Sequence, residues 1–376
     1  MKKILLLIIL CTFMALAVFQ PLVRMCAEAT ASSSTAVKTT KEDDIMTFAF
    51  KDETYISEKG TGVIYLAGGC FWGLEKMMQS IPGVVRATSG YANGDASIKP
   101  EYREVCSGRT GYRETVRVEY REEKISLDAI LFAFFGAIDP TVKNRQGNDI
   151  GSQYQSGVYF TDENSAKIVE HVVKVEKMRH KNFAVEIKPL ESFYDAEDYH
   201  QDYLDKNPGG YCHITPAEIK MVEEIIVDPA KYRRPEDEEI KRRLSKEAYM
   251  VAVESGTEPS FNNEFWDHKE NGIYVDAVTG EPLFSSKDKF ESPCGWPAFS
   301  KPIDPNTIVY LNDNSFGMRR TEVRSRAGNS HLGHVFHGDH HSPNGTRFCI
   351  NSLSLRFIPF SEIEKWGYGY LTQYVE

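Results

Sequence analysis

Cysteine is scarce in this chain. Seven in 376 residues are too few for a disulfide-dense scaffold. Basic charge is also short: 44 Lys and Arg stand against 54 Asp and Glu, a net charge of −10. Without a concentrated basic stripe, nucleic acid is not an expected partner. No internal repeat links one half of the chain to the other, so the halves read as different domains. Hydrophobic residues make up 41% and charged residues 26%, which excludes a mainly disordered or collagen-like chain. The length accommodates two domains.

A long apolar run occurs at the N-terminus. Lys2 and Lys3 precede Ile4 to Phe19, an uncharged stretch whose only polar member is Thr12, and Ala27-Glu28-Ala29 offers a small-x-small cleavage site. Residues 1–29 therefore read as a signal peptide or, since Ile4 to Val23 could span a bilayer, an N-terminal anchor. Export to a periplasm, cell surface or extracellular space is the expectation. Residues 30–46, rich in Ser, Thr and charge, read as a flexible tether. Five cysteines follow: Cys70, Cys106, Cys212, Cys294 and Cys349. An odd number in an exported chain means at least one thiol outside any structural disulfide.

Val63 to Ala67 is a β-branched and aromatic run, and Gly68-Gly69 breaks it. Apolar residues at Phe71, Leu74, Met77, Met78 and Ile81 then follow a helical period, so Cys70 falls at a strand-to-helix turn. Strands at Thr115 to Tyr120 and Gly157 to Phe160 alternate with helices at Ser126 to Phe135 and Ser165 to His180, an α+β or α/β texture. Residues 228–243 are dominated by charge and read as a linker, with a short helix after it ending near Glu254. Beyond it, short runs such as Gly272 to Val275, Pro282 to Phe284 and Thr307 to Leu311 are separated by Gly, Pro, Asn and Asp. That is the texture of a small barrel or sandwich.

In Gly69-Cys70-Phe71-Trp72-Gly73, a cysteine at a helix N-terminus is expected to have a lowered pKa. The flanking glycines let a substrate approach the backbone, and two aromatics wall the sulfur. This motif resembles the active site of the type A peptide methionine sulfoxide reductases, which act on the S epimer. The resemblance runs from Val63 to about Val227, through Tyr102 to Gly108, Gly111 to Glu114, Gln146 to Asp149, Gln153-Tyr154, Ala196 to His200 and Lys206 to Cys212. It implies an α+β domain over 47–227, an α/β roll with a ferredoxin-like mixed sheet. It also implies Cys70 as nucleophile, Glu114 as acid, Tyr102 and Tyr154 as hydroxyl donors and Asp149 as an orienting group. Phe71 and Trp72 would hold the substrate methyl, and Cys212 would resolve a Cys70 sulfenic acid. Cys106 is expected to be a packed thiol, and His200 to be structural.

Residues from about Ser245 to Gly367 resemble the type B family, which acts on the R epimer. The motifs are Gly256 to Pro259, Asn263 to Trp266, Cys294 to Phe299, His331 to Phe336 and Arg347 to Asn351. The resemblance implies a mainly-β domain over 244–376 with Cys349 as nucleophile, Cys294 as resolving thiol, and His331 and His334 as donors to the sulfoxide oxygen. Trp296, Arg347 and Asn351 would meet substrate. Many type B enzymes carry a structural zinc on two C-x-x-C pairs; here Asp276 and Thr279, Ser325 and Gly328 hold those places, so no zinc is expected. The family's acidic residue near Phe336 is displaced, and Asp339 is a candidate replacement.

The combined expectation is an exported bifunctional methionine sulfoxide reductase without a bound cofactor. Oxidised proteins would be its substrates, and a thioredoxin-like extracytoplasmic dithiol would reset it. Two rival readings are a surface or metal-binding protein on a degenerate reductase scaffold, and a cysteine hydrolase with Cys70 as nucleophile and His200 as base.

Overall fold

A computed structural model describes residues 49–376; the leader expected at 1–29 and the tether at 30–46 lie outside the described residues. Its first half runs β1 (Thr61–Ala67), α1 (Phe71–Gln79), β2 (Val84–Ala92), α2 (Tyr102–Cys106), β3 (Arg113–Arg121) and α3 (Leu127–Ala137). A small hairpin follows, β4 (Arg145–Gln146) with β5 (Asp149–Ile150). Then come β6 (Gly157–Phe160), α4 (Glu163–Arg179), β7 (Glu186–Pro189), β8 (Phe193–Asp195), α5 (Tyr203–Lys206) and α6 (Pro216–Val222). Six strands form one sheet in the order β7-β6-β1-β3-β2-β8. Only the β6–β7 pair, joined through α4, is parallel; antiparallel β1 and β3 hold the centre.

Local chemistry accounts for the helices. Ser126 caps α3 by accepting from the Ala129 amide at 3.2 Å, and Asp162 caps α4 by accepting from the Ser165 amide at 2.8 Å. Each such cap contributes about 1 kcal/mol. α3 buries Phe132, Phe134 and Phe135 against Leu74, Met77 and Met78 of α1 and against Ile64 and Leu66 of β1. Each buried ring stabilises by about 1.5–3 kcal/mol, which anchors the β1–α1 turn carrying Cys70.

The segment expected as a linker is folded and touches both halves. Arg233 donates twice to Asp128 of α3, at 2.8 and 2.7 Å, and Arg234 donates to the Gly328 carbonyl. Two helices follow, α7 (Asp237–Arg243) and α8 (Lys246–Ala252). Asp304 of the second half accepts the amides of Ile226 and Val227, each at 2.9 Å. The halves are thus pinned by hydrogen bonds to chain on either side of the junction.

The second half is antiparallel. β9 (Gly272–Asp276), β10 (Pro282–Ser285) and β17 (Leu355–Pro359) form a three-stranded sheet in the order β10-β9-β17. β11 (Lys289–Phe290), β12 (Ala298–Phe299), β13 (Ile308–Asp313), β14 (Arg320–Ser325), β15 (His331–His337) and β16 (Thr346–Ile350) form a six-stranded sheet. Its order is β11-β12-β16-β15-β14-β13. Between the sheets lies an aromatic core in which Phe284 stacks on Phe299 at 4.4 Å and Tyr274 meets Phe299 edge-on at 5.0 Å.

Candidate active sites

The Gly68-Gly69 break after β1 turns the chain so that Cys70 becomes the N-cap of α1; Gly69 holds φ +86°. The Cys70 thiol is buried. Burial, and then the Glu114 carboxylate, push its pKa up, while the Trp72 amide pulls it down. The expectation of a lowered thiol is corrected here: desolvation and two nearby carboxyls, Glu114 and Asp149, outweigh the helix end.

Glu114 lies on β3 and is 1% exposed. Its Oε2 accepts from the Phe71 amide at 3.2 Å. Its Oε1 is buried and takes no hydrogen bond from any described residue. Burial raises its pKa to about 8, so at neutral pH the group is mostly a carboxylic acid and can donate. Burial, followed by the Glu114 charge, raises both Tyr102 and Tyr154, and both remain hydroxyls. Glu197 fixes the start of α2 by accepting the Tyr102 amide at 2.8 Å and also accepts from the Tyr91 hydroxyl at 2.7 Å.

Trp72 is braced on two sides. It stacks on Tyr203 at 3.8 Å and donates through Nε1 to His200 Nδ1 at 3.0 Å. His200 packs between Phe71 and Tyr102, with ring centroids at 5.0 and 4.4 Å. Its acceptor nitrogen is spent on Trp72, which does not suit a base for Cys70. Asp149 on β5 accepts from the Tyr211 hydroxyl at 3.1 Å and lies 3.9 Å from His213 Nδ1. The hairpin thereby reaches the segment carrying Cys212. The Cys212 sulfur occupies the place a side chain would take at Gly73: a Cβ there would stand 2.7 Å from it. Both cysteines are free thiols. Cys106, expected to be packed, is exposed; α2 is too short to bury more than Val105.

In the second half Cys349 lies on β16, opposite His334 of β15 and Ala298 of β12. Its thiol donates to the Cys294 sulfur at 3.5 Å. That hydrogen bond, helped by Ser292, the Trp296 backbone and then Arg347, holds Cys294 below the usual thiol range, while the same contact and burial raise Cys349. Arg347 lies over the Phe336 ring at 4.6 Å and donates to Asp339. Trp296 donates to the Glu258 carbonyl at 3.1 Å.

His331 and His334 are three apart, which on a regular strand would send them to opposite faces. The pairing slips instead: Val323 faces Gly333 and Arg324 faces His331, leaving Leu332 as the extra residue of a bulge. Both rings then share a face, 5.8 Å apart. Carboxylates that sequence reading missed hold them. Glu322 Oε1 meets His331 Nδ1 at 2.5 Å, and Asp313 Oδ2 meets His334 Nε2 at 2.8 Å. Burial lowers the pKa of His334 despite that contact. The alternation of β13 and β14 was the only available signal. Asn351 is placed differently from expectation. Its amide is spent on the scaffold, accepting from the Glu258 amide at 3.2 Å and donating to the Leu332 carbonyl at 3.1 Å.

The four residues standing where zinc cysteines would be do meet. Asp276, fully buried, accepts from Thr279 Oγ1 at 2.7 Å and Ser325 Oγ at 3.1 Å; a Cβ at Gly328 would stand 2.1 Å from its carboxylate. One carboxylate and two hydroxyls already bonded to each other do not fit zinc, which takes thiolate or imidazole in such structural sites.

Comparison with known proteins gives a family for each half. The family model described as peptide methionine sulfoxide reductase matches residues 62–228, and that described as SelR domain matches 244–359. Among solved structures, Mxr1 from Saccharomyces cerevisiae in reduced form is 35% identical, covering 44% of this chain and 98% of that one, with a TM-score of 0.42. Methionine sulfoxide reductase A of Corynebacterium diphtheriae is 41% identical, covering 41% and 79%, with a TM-score of 0.38. Mxr1 in complex with Trx2 is 25% identical, covering 40% and 91%, with a TM-score of 0.29.

Proposed function

The chain belongs to the methionine sulfoxide reductases, an oxidoreductase with a type A and a type B domain acting on the S and R epimers, and from that premise we propose a two-site thiol mechanism in an exported protein. In the first site the sulfoxide oxygen binds at the free Oε1 of Glu114, beside the Tyr102 and Tyr154 hydroxyls, with its methyl against Phe71 and Trp72. Glu114 protonates that oxygen. The Cys70 sulfur attacks the substrate sulfur and returns its own proton to the Glu114 carboxylate. Oxygen passes to Cys70 as a sulfenic acid and methionine leaves. Cys212 then attacks the sulfenic sulfur, a disulfide forms and water departs.

In the second site Cys349 attacks as its proton passes to Cys294, and the His331–His334 pair gives the proton to the oxygen. Cys294 then closes the disulfide and releases water. The single observation that carries the thiol scheme is the 3.5 Å separation of these two sulfurs. The scheme uses thiols as its whole supply of electrons and needs no resident metal or cofactor. Each disulfide is reset by a thioredoxin-like dithiol; the charged, lysine-led apolar leader supports placing that partner and the oxidised protein substrates outside the cytoplasm.

The test is turnover of each purified epimer of a sulfoxide peptide by the intact protein, with thioredoxin as reductant, alongside cell fractionation. Turnover of one epimer only, or a cytoplasmic full-length chain, overturns the corresponding part.

A further inference from the structure

The type A half reaches the histidine of the type B site through an unbroken series of polar contacts. It starts at Arg179, the last residue of α4, whose side chain is 1% exposed. A guanidinium so buried must spend its donors or destabilise the fold. Arg179 pairs with Glu176 on its own helix and sends the rest of its fork across the domain boundary. Nη2 donates to the carbonyls of Arg326 and of Ser325, the latter at 3.2 Å, and Nε donates to Asn329 Oδ1 at 3.2 Å. The acceptors are the last residue of β14 and two residues of the turn from β14 to β15.

That turn leads directly to His331. Asn329 sits at φ +52°, and its carbonyl accepts from Arg324 Nη1 at 3.0 Å. Arg324 Nη2 pairs with Glu322 Oε1 at 2.8 Å. The same Glu322 oxygen meets His331 Nδ1. The order is Arg179, Asn329, Arg324, Glu322, His331. The β-bulge that brings His331 beside His334 begins where this turn ends.

We propose that Arg179, a residue of the S-epimer half, is a positioning residue for R-epimer reduction: it fixes the 325–330 turn and, through Asn329, Arg324 and Glu322, the orientation of His331. This rests on the reading of His331 as a donor to the sulfoxide oxygen. A guanidinium suits the task because its fixed fork of donors serves two carbonyls and an amide oxygen at once. A polar series of this kind orients its terminal member more tightly than separate contacts would.

The experiment uses the full-length protein and both sulfoxide epimers. Arg179→Ala and Asn329→Gly, which retains the backbone conformation of Asn329, should each lower R-epimer kcat by about tenfold, within the range for such coupling. KM should stay within about twofold, and S-epimer turnover should be unchanged. The double variant should be no slower than the worse single one, since both cut the same link. Because Arg179→Ala leaves buried Glu176 with only His180 Nε2, at 3.8 Å, beside its carboxylate, Glu176→Gln with Arg179→Met provides a variant without that charge and should show the same R-epimer loss. An unchanged R-epimer kcat in these variants overturns the proposal, as does a parallel fall of both epimers with Tm. His331→Asn separates the two levels. If it leaves R-epimer turnover intact, the His331 assignment fails and takes this inference with it; if it lowers turnover while Arg179→Ala does not, only this inference fails.

Discussion

The sulfurs of Cys349 and Cys294 lie 3.5 Å apart, with Cys349 as donor. A disulfide needs them at about 2.05 Å, so a small side-chain movement closes it. Stoichiometric R-sulfoxide should therefore oxidise the reduced protein to a Cys294–Cys349 bridge, read by alkylation and mass spectrometry. Cys294→Ser should stop at a sulfenic acid on Cys349 that a sulfenate-specific reagent traps. Recovery of both cysteines as free thiols after turnover contradicts the scheme.

The two sites should be separable by substitution. Cys70→Ser should abolish S-epimer reduction and spare R-epimer reduction, and Cys349→Ser the reverse. Loss of both activities from either change would defeat the two-site account.

Glu114 makes the first site sensitive to alkali. Its pKa is raised to about 8 by burial, so kcat/KM for the S epimer should fall as pH rises through about 8. Glu114→Gln should lower the rate by about 10²–10⁴-fold and remove that limb. Stability carries the same sign. A carboxyl whose folded pKa lies above its unfolded value stabilises fully below about 4.5 and loses that contribution as pH rises towards 8. The Tm of Glu114→Gln should thus gain on the unmodified protein between pH 5 and 9; a constant difference contradicts the assignment.

Gly73 should matter for recycling rather than for oxygen transfer. A methyl there would meet the Cys212 sulfur at 2.7 Å. Gly73→Ala should slow steady-state S-epimer turnover with thioredoxin while leaving the first, single-turnover release of methionine nearly intact. Equal loss in both measurements would place the effect on Cys70 instead.

Asp276 should hold the second half together. It is buried and accepts from Thr279, Ser325 and the Val278 amide. Asp276→Ala strands those donors and should cost about 2–4 kcal/mol, seen as a fall in denaturant midpoint without a change in slope. A midpoint shift within experimental scatter would show that the knot is dispensable.

Much of this was legible from residue order. The β1 break, the helical period after Cys70 and the ordered motifs of both halves depend on neighbours along the chain, and they were readable for that reason. The place of Cys70 at a helix start follows from the same local patterns, whereas the strand that bears Cys349 lay outside the runs those patterns marked. The direction of the Cys70 shift was not readable, because it depends on how completely Glu114, 44 residues away, is desolvated with it. The shared face of His331 and His334 was decided by a bulge that exists only in the pairing of β14 with β15. The approach of Cys212 to Gly73, the spending of Asn351 on the scaffold and the reach of Arg179 across the boundary are contacts between distant segments. Local pattern carries chemistry and element type; burial, register and long-range contact arise only when the chain closes on itself, and these set the protonation and aim of the reacting groups.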